Sequence, residues 1–469
     1  MIKPACPHEC VKAISHTQSH QQEYLDQLIE FLRIPSISTL SQHANDIRRA
    51  ASWLAADLLR LGLEHVQILE TAGNPVVYAD WLHAGADVPT VLLYGHYDVQ
   101  PIDPIELWET DPFTPTIRNG RLYARGASDN KAQMFTHIKA IESMLASNGR
   151  LPVNIKLCFD GEEEIGSPNL EPFVLANRTL LAADLLLISD GAMIRTDQPS
   201  IDYALRGVIA AEIKISGPRR DLHSGSYGGS LHNPAQAIAE IVAALHHADG
   251  SVAIPGFYDD VTTLSPTERK LLAKVPYTEA DWRTETGAPQ PWGEPQFTFY
   301  ERMTARPTCE VNGIWGGFSG EGFKTIIPAT AGAKISMRLV EDQNAAKITQ
   351  QFKAYIEAIV PPTVQLSIEV QAGANAAVTP YDSPYLTAAM RAFEAGWGAT
   401  PVLSRGGGSL PIVATFRREL NVPFVLMPFG LDDNRHSPNE HYLLDHFEKG
   451  LKTAVIFYNF LSKAVQNKV

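Results

Sequence analysis

Short apolar runs alternate with apolar stripes at helical spacing along most of the chain, a pattern typical of an α/β fold with a largely parallel sheet. Residues 21–34 carry an apolar stripe every three to four positions and predict a helix. Residues 45–63 predict a second helix with Asn45 as its N-cap. Residues 90–101 and 183–192 are apolar enough to be buried strands. The first half of the chain therefore predicts an α/β layer.

The stretch IKLCFDGEEEIGSP, residues 155–168, predicts a strand that ends in an acidic turn. Every second residue at its start is apolar, which gives the strand one apolar face (Ile155, Leu157 and Phe159). The strand pattern stops at Gly161, and three glutamates follow. An isolated acidic run is usually a solvated turn. Adjacent carboxylates at a strand end point in different directions, however, so one can bind a metal while its neighbour serves as a general base.

The pattern changes near residue 207 and returns near residue 380. Between these points the predicted order of elements is β-α-β-β-α-β, that of a ferredoxin-like sandwich. An insertion over about residues 250–308 interrupts it, and its fold does not follow from the pattern. We therefore predict a first domain in two parts, residues 1–206 and 380–469, with residues 207–379 inserted as a second domain. Residues 1–20 are polar and predict a flexible tail.

Composition narrows the class of protein. The 469 residues carry a net charge of −13, which argues against binding to nucleic acid or to an anionic membrane, because both need basic patches. Four cysteines in so long a chain are no disulfide framework and suit a reducing compartment. Cys6 and Cys10 with His8 are a weak zinc signal in the predicted tail. No apolar leader and no run of bilayer length is seen, so we expect a cytoplasmic protein.

Candidate metal ligands follow the predicted strands. Each of three apolar runs is followed directly by acidic or histidine side chains, a fourth run is followed after a few residues, and one aspartate lies where a helix begins (His96, Glu163 or Glu164, Asp190, His436 and Asp129). Ligands of open α/β sheets bind beyond the carboxyl ends of the strands, so we expect these side chains to converge. Five nitrogen and oxygen donors, one of them bridging, can hold two divalent metals. Zinc fits this donor set, with manganese or cobalt as alternatives.

Eight motifs, in order and spacing, resemble the di-zinc metallopeptidases of the aminoacylase/carboxypeptidase G/carnosinase family, and most of all its carnosinase-like, cytosolic non-specific dipeptidase branch. They are YGHYDVQP, RGASDNK, DGEEEIGS, LISDG, DLHSG, KTIIP with SMRLV, GGGSLP and RHSPNE, and the resemblance spans about residues 25–463. It implies an α/β metallopeptidase domain with an inserted ferredoxin-like lid that also forms a homodimer.

The resemblance also implies a role for each matching residue of the metal centre. The five candidate ligands would bind two metal ions per subunit, with Asp129 bridging them. Asp98 would hold His96 in the right tautomer. Glu163, one residue before the ligand Glu164, would be the general base. The family often has a cis peptide after the bridging aspartate, here between Asp129 and Asn130.

Further matching residues imply a substrate site. His223 in DLHSG would donate to the developing oxyanion, often in the neighbouring subunit, and Thr325 would contact substrate in the same way. Arg338 and Ser409 would hold the terminal carboxylate. Their chemistry agrees, because arginine offers a planar fork to a carboxylate, and the 406–409 loop, which includes Gly408 as a further substrate contact, opens a helix whose N–H groups favour an anion.

These observations predict metal-dependent hydrolysis of an amide bond in a small substrate. A dipeptide is the first candidate for that substrate. Dipeptidase relatives often have glutamate where this chain has Gly406 and an aromatic residue where it has Ala192, so an N-acyl- or N-carbamoyl-amino-acid amidohydrolase stays as the alternative. A serine hydrolase using Ser409 or Ser226 finds little support, since neither lies in a G-x-S-x-G elbow. A non-catalytic scaffold would have lost ligands, and Glu163 and all five are present.

Overall fold

The computed structural model describes residues 6–371 and 373–464. Strands β1 to β18 are Glu64–Leu69, Val76–Trp81, Thr90–His96, Thr116–Arg118, Arg121–Tyr123, Asn154–Asp160, Leu185–Ile188, Ser200–Leu205, Gly207–Ser216, Leu222–His223, Thr308–Gly316, Ile326–Ile327, Thr330–Leu339, Gln365–Val370, Ala377–Val378, Val402–Gly406, Phe424–Leu426 and His441–Leu443. Helices α1 to α15 are His8–Ser19, Gln21–Leu32, Ala44–Arg60, Lys131–Asn148, Leu170–Ala176, Arg178–Leu181, Ser224–Tyr227, Pro234–Ala243, Pro266–Leu272, Glu279–Thr286, Phe299–Thr304, Ala345–Ile359, Pro384–Gly396, Pro411–Leu420 and Leu444–Ala464.

The largest sheet has nine strands in the order β1-β2-β6-β3-β7-β17-β8-β15, with β16 paired to β8. Its centre, β6-β3-β7-β17, is parallel, which confirms the prediction of a mainly parallel sheet. Both faces of β6 are buried, because Ile155, Leu157 and Phe159 join one core while Cys158 joins the core on the opposite face. The four parallel strands end at the same edge, and this edge carries the candidate metal ligands.

A second sheet has four antiparallel strands in the order β11-β13-β9-β14. Helices α8 and α12 supply the two helices of the predicted β-α-β-β-α-β order. They share a core of their own with the strands, in which Ile213, Ile335 and Phe352 are buried. The insertion that sequence pattern left open contains three short helices, α9 to α11, each of which begins at a serine or threonine N-cap.

The structure corrects three predictions near the N-terminus. Residues 8–19 form helix α1 rather than a flexible tail, because Cys10, Ala13 and Thr17 are buried in the protein. Cys6 and Cys10, which with His8 gave a weak zinc signal in the sequence, are joined as a disulfide. Asn45 is also no N-cap, since helix α3 begins at Ala44 after a short 3-10 turn. None of the described helices is long and apolar enough to cross a membrane.

Candidate metal centre

The candidate ligands lie at the carboxyl ends of the central strands, as their positions in the sequence predict. His96 is the last residue of β3, and Asp190 follows β7 by two residues. Glu164 lies in a 3-10 turn, Glu163–Ile165, shortly after β6. Asp129 precedes α4, and His436 lies in the loop after β17. The parallel strands therefore bring side chains from five separate stretches of sequence to one edge of the sheet.

The five side chains form two groups of three that share Asp129. In the first group, His96 Nε2 lies 3.1 Å from Asp129 Oδ1 and 3.4 Å from Asp190 Oδ2. In the second group, His436 Nε2 lies 3.0 Å from Asp129 Oδ2 and 3.3 Å from Glu164 Oε2. Within each group the three donor atoms lie within 4.8 Å of one another. Each oxygen of the Asp129 carboxylate thus faces a different group.

The centre concentrates negative charge away from water. Burial raises the pKa of Glu163 to about 8, opposed by His96 and reinforced by the carboxylates of Asp190 and Glu164. Burial also raises the pKa of Glu164. Hydrogen bonds to Asp129 and Glu164 raise the pKa of His436 to about 10. Burial disfavours the charged form of the two glutamates, and the carboxylates beside His436 favour its charged form.

Asp98 lies beneath His96 and organises the acidic turn. Its Oδ1 is 3.3 Å from His96 Nδ1, on the side of the ring opposite the ligand nitrogen. Its two oxygens accept hydrogen bonds from the backbone N–H groups of Glu163 (3.2 Å) and Glu164 (3.1 Å). Gln100 donates to Glu164 Oε2 at 2.9 Å. A single buried carboxylate therefore orients the imidazole and both glutamates. The peptide bond between Asp129 and Asn130 is cis, as the resemblance implies.

Glu440 anchors the loop that presents Asp129, and our sequence reasoning did not single it out. The side chain is fully buried and accepts hydrogen bonds from four groups: the backbone N–H groups of Gly126, Ser128 and Asp129 at 2.8–2.9 Å and Arg125 Nη1 at 2.8 Å. Its place in RHSPNE, four residues after His436, was the available signal. The two halves of the chain therefore meet at this carboxylate.

Arg435 is a second residue that sequence reasoning missed. Its Nε donates to Asp129 Oδ2 at 3.1 Å, and its Nη2 donates to Asp190 Oδ1 at 2.8 Å. This guanidinium contacts two carboxylates of the cluster. Burial lowers the pKa of Arg435, but the charges of Asp129 and Asp190 outweigh burial and raise it. No signal in the sequence marked it, because an arginine beside a histidine in a loop has no fixed direction.

The residues that the resemblance assigns to the substrate's carboxylate lie together in the structure, although they are far apart in the sequence. Arg338, near the end of β13, donates from Nη1 to Ser409 Oγ at 2.7 Å. The carbonyl of Gly408 accepts from the N–H of Arg206 at 3.1 Å. A side chain at Gly406 would begin 2.8 Å from Leu205 Cδ2, so the end of the Leu205 side chain would have to move to admit one.

His223 and Thr325 lie beside each other but apart from the metal ligands. His223 pairs with Ile326 across the ribbon of β10 and β12, and the N–H of Ser224 donates to the carbonyl of Thr325. His223 is exposed, and its Nδ1 accepts from the N–H of Gly225 at 3.0 Å. Within the described part of this single chain, neither residue hydrogen-bonds to a ligand of the cluster.

The cluster fits a pair of divalent metals by its donor chemistry. Each group offers one imidazole nitrogen and two carboxylate oxygens, counting the shared Asp129, and neither includes a thiolate. Such donors suit zinc, manganese or cobalt. Five carboxylates (Asp98, Asp129, Glu163, Glu164 and Asp190) surround one arginine and two imidazoles. Metal cations would supply the missing positive charge.

Comparison with known proteins gives consistent matches over most of the chain. The sequence profile of Peptidase family M20/M25/M40 matches residues 92–458. A Cys-Gly metallodipeptidase of Schizosaccharomyces pombe is 32% identical over 448 residues, which cover 92% of this chain and 94% of that protein. The human Beta-Ala-His dipeptidase is 29% identical over 464 residues, 95% of this chain and 92% of that protein.

Solved structures of proteins named as peptidases also superpose on this chain. An M20 family metallo-carboxypeptidase from Sulfolobus solfataricus superposes with a TM-score of 0.84 at 32% identity and covers 94% of this chain and 99% of its own. The di-peptidase Dug1p of Saccharomyces cerevisiae superposes with a TM-score of 0.79 at 27% identity, covering 97% and 98%. The superpositions cover nearly the whole chain and therefore include both sheets.

Proposed function

The chain belongs to peptidase family M20/M25/M40, and we propose that it is a metal-dependent dipeptidase that hydrolyses small, unblocked dipeptides. The observation that carries the proposal is the pair of three-residue groups that share Asp129 at the carboxyl ends of parallel strands. Relatives whose names state a dipeptidase activity match along nearly the whole chain, which supports this choice over the N-acyl- or N-carbamoyl-amino-acid amidohydrolase.

We assign His96 and Asp190 to one metal ion and Glu164 and His436 to the other, with Asp129 bridging. Zinc is our first assignment, because a nitrogen and oxygen donor set in a buried site favours it. When bound, two divalent ions polarise a substrate carbonyl and lower the pKa of water toward neutrality. Arg435 would then hold Asp190 by Oδ1, the oxygen that does not face His96.

Glu163 is our candidate for the general base. It directly precedes the ligand Glu164, and its backbone N–H donates to Asp98 at 3.2 Å, which fixes it beside the two groups of ligands. In the proposed reaction Glu163 accepts a proton from the attacking water as the C–O bond forms. It then donates that proton to the nitrogen as the C–N bond breaks, so the products are a free acid and a free amine.

Arg338, Ser409 and Gly408 are our candidates for the subsite of the substrate's terminal carboxylate. Arg338 and Ser409 already contact each other, so a carboxylate can receive hydrogen bonds from both. His223 and Thr325 would come from a second subunit, with His223 donating to the oxyanion. Within the described part of one chain neither residue hydrogen-bonds to a candidate ligand, which agrees with this division.

A homodimer through the inserted domain, residues 207–379, would supply these two residues. Strand β11 is an edge of the four-stranded sheet, and it exposes Val311, Ile314 and Trp315. Phe318 and Phe323 continue the apolar surface, and Phe323 is fully exposed. An exposed edge strand with apolar side chains is a natural surface for pairing with a second copy. Light scattering of the purified protein would test it, and a monomer at micromolar concentration would contradict it.

We further propose that the two domains have different roles. The domain with the nine-stranded sheet binds the metals, and the inserted domain closes over the substrate as a lid. The separate core of the four-stranded sheet supports two bodies. A cytoplasmic location is the remaining proposal: the buried thiols of Cys158 and Cys309 support it, whereas the Cys6–Cys10 disulfide favours an oxidising compartment. Fractionation of cells that express the protein would test this location.

The decisive assay compares free dipeptides with their N-acetyl forms, with zinc or manganese present and after chelation. We expect hydrolysis of free dipeptides that chelation abolishes and added metal restores. Glu163→Gln should lower kcat by a factor of about 100 or more while both metals stay bound. The matched control is Glu171→Gln, an exposed carboxylate after the same strand, which should keep normal turnover. Hydrolysis of only the N-blocked substrates would favour the amidohydrolase.

A further inference from the structure

A cavity of about 580 Å³ lies beside the pair of Arg338 and Ser409. Its walls come from three parts of the chain: strands β11 and β13, the insertion with helices α10 and α11, and Gly407 of the glycine-rich loop. This volume lies within the range of about 300–1,000 Å³ that small-molecule sites occupy. The cavity therefore has room for more than the terminal carboxylate itself.

The lining of this cavity carries an excess of positive charge. It includes Arg206, Arg302 and Arg338 against one acidic residue, Glu310, which leaves a net charge of +2. Among the described residues, none of the three arginines has a carboxylate within ion-pair distance. The contrast with a neighbour is clear, because Arg306 in the same region is bound by a carboxylate at 2.8 Å.

Backbone carbonyls hold two of these guanidinium groups in place. Arg206 Nε donates to the carbonyl of Gly407 at 2.7 Å. Arg302 donates from Nε to the carbonyl of Phe297 and from Nη1 to that of Trp292, both at 3.0 Å. The Nη2 group of each makes no hydrogen bond to any described residue. Burial, together with Arg338, lowers the pKa of Arg206 to about 10, so it stays charged at neutral pH.

Two fixed, unpaired positive charges beside a carboxylate subsite predict a ligand with two negative charges at one end. We propose that this cavity is the subsite for the C-terminal residue of the dipeptide and that it selects aspartate or glutamate there. The α-carboxylate would bind Arg338 and Ser409, and the side-chain carboxylate would bind Arg302 and Arg206. This inference rests on the proposed dipeptidase function and specifies its substrate.

The apolar part of the lining fits the same ligand. Trp282, Phe299 and Met303 form one wall, against which the methylene groups of a glutamate side chain can pack. The charge then distinguishes this subsite from one for aromatic residues. A purely apolar side chain would leave the guanidinium groups of Arg206 and Arg302 without a partner in a partly desolvated site, at a cost in binding.

The test measures kcat/KM for alanyl-glutamate and alanyl-glutamine, which differ in charge but hardly in size. Wild-type enzyme should prefer alanyl-glutamate by about tenfold or more, as the loss of a charged hydrogen bond implies. Arg302→Gln should bring the ratio close to one, whereas Arg302→Lys, which keeps the charge, should retain part of the preference. The matched control is Arg283→Gln on the exposed face of α10, which should leave the ratio unaltered.

Three results would overturn the inference. A wild-type ratio near one with brisk hydrolysis of both dipeptides would contradict the acidic subsite and leave the dipeptidase function standing. Faster hydrolysis of alanyl-phenylalanine than of alanyl-glutamate would contradict the acidic subsite in the same way. Hydrolysis of no dipeptide by metal-loaded enzyme would overturn the dipeptidase function and the subsite with it. The wild-type ratio decides the question even where a variant does not fold.

Discussion

Replacement of Glu440 by glutamine tests how the fold holds the bridging aspartate. The substitution keeps the size of the side chain but removes the charge that Arg125 faces, and the new amide group points a donor at other donors. Glu440 is fully buried and Arg125 is 1% exposed, so water cannot compensate either group. Removing one partner of a buried ion pair costs about 3–5 kcal/mol, and we expect Glu440→Gln to lower the free energy of unfolding by that amount.

Urea denaturation of the metal-free protein, followed by circular dichroism, measures this difference by linear extrapolation. The control is Glu448→Gln on helix α15, eight residues further along the chain, where the carboxylate is exposed and a change within about 0.5 kcal/mol is expected. The double variant Arg125→Met with Glu440→Gln should lose less than the sum of the single losses, because no charge is left unpaired. A loss below about 1 kcal/mol for Glu440→Gln would refute the reasoning.

Two further predictions concern acid and metal. Burial lowers the pKa of His137 to about 3, so this histidine is neutral in the folded state, and its contribution to stability is complete above pH 6.5 and lost as the pH falls below it. Between pH 7 and pH 5 the metal-free wild type should lose about 2 kcal/mol more unfolding free energy than His137→Gln, and equal losses would contradict the assignment. Chelation should lower the melting temperature of the wild type by several degrees through loss of bound ligand. Chelation should lower the melting temperature of Asp129→Ala far less. An equal lowering in the two proteins would contradict the role of Asp129 as a ligand shared by both metals.

The site could be predicted from the sequence where a single local pattern places a side chain. His96, Glu164 and Asp190 each follow an apolar run, and the end of a parallel strand leaves few directions in which the next side chain can lie. Their convergence agrees with that expectation. The sharing of Asp129 between the groups came from the resemblance, not from the pattern of residues.

Residues whose position depends on loop conformation could not be predicted in this way. Arg435 and His436 lie in a segment where several residues other than glycine, among them Asn434 and His436, have positive φ, so neighbouring side chains diverge without any periodic pattern. Helix α1 was missed for another reason. Its buried face consists of small or polar residues such as Ala13 and Thr17, which leave no apolar stripe in the sequence.

The insertion was not predictable because its helices are short. Helix α10 has eight residues and α11 has six, too few for a stripe to repeat. The capping boxes at Thr278 and Thr298 are the local signals that mark where these helices begin. Their place against β11 and β13, which creates the cavity, is a tertiary property that no local pattern contains.

The most direct test of the metal centre is anomalous X-ray diffraction at the zinc absorption edge from crystals of the zinc-loaded protein. We predict two peaks, one among His96, Asp129 and Asp190 and the other among Asp129, Glu164 and His436, with ligand distances of about 2.0–2.2 Å. A single peak, or peaks away from these side chains, would contradict the shared two-metal centre.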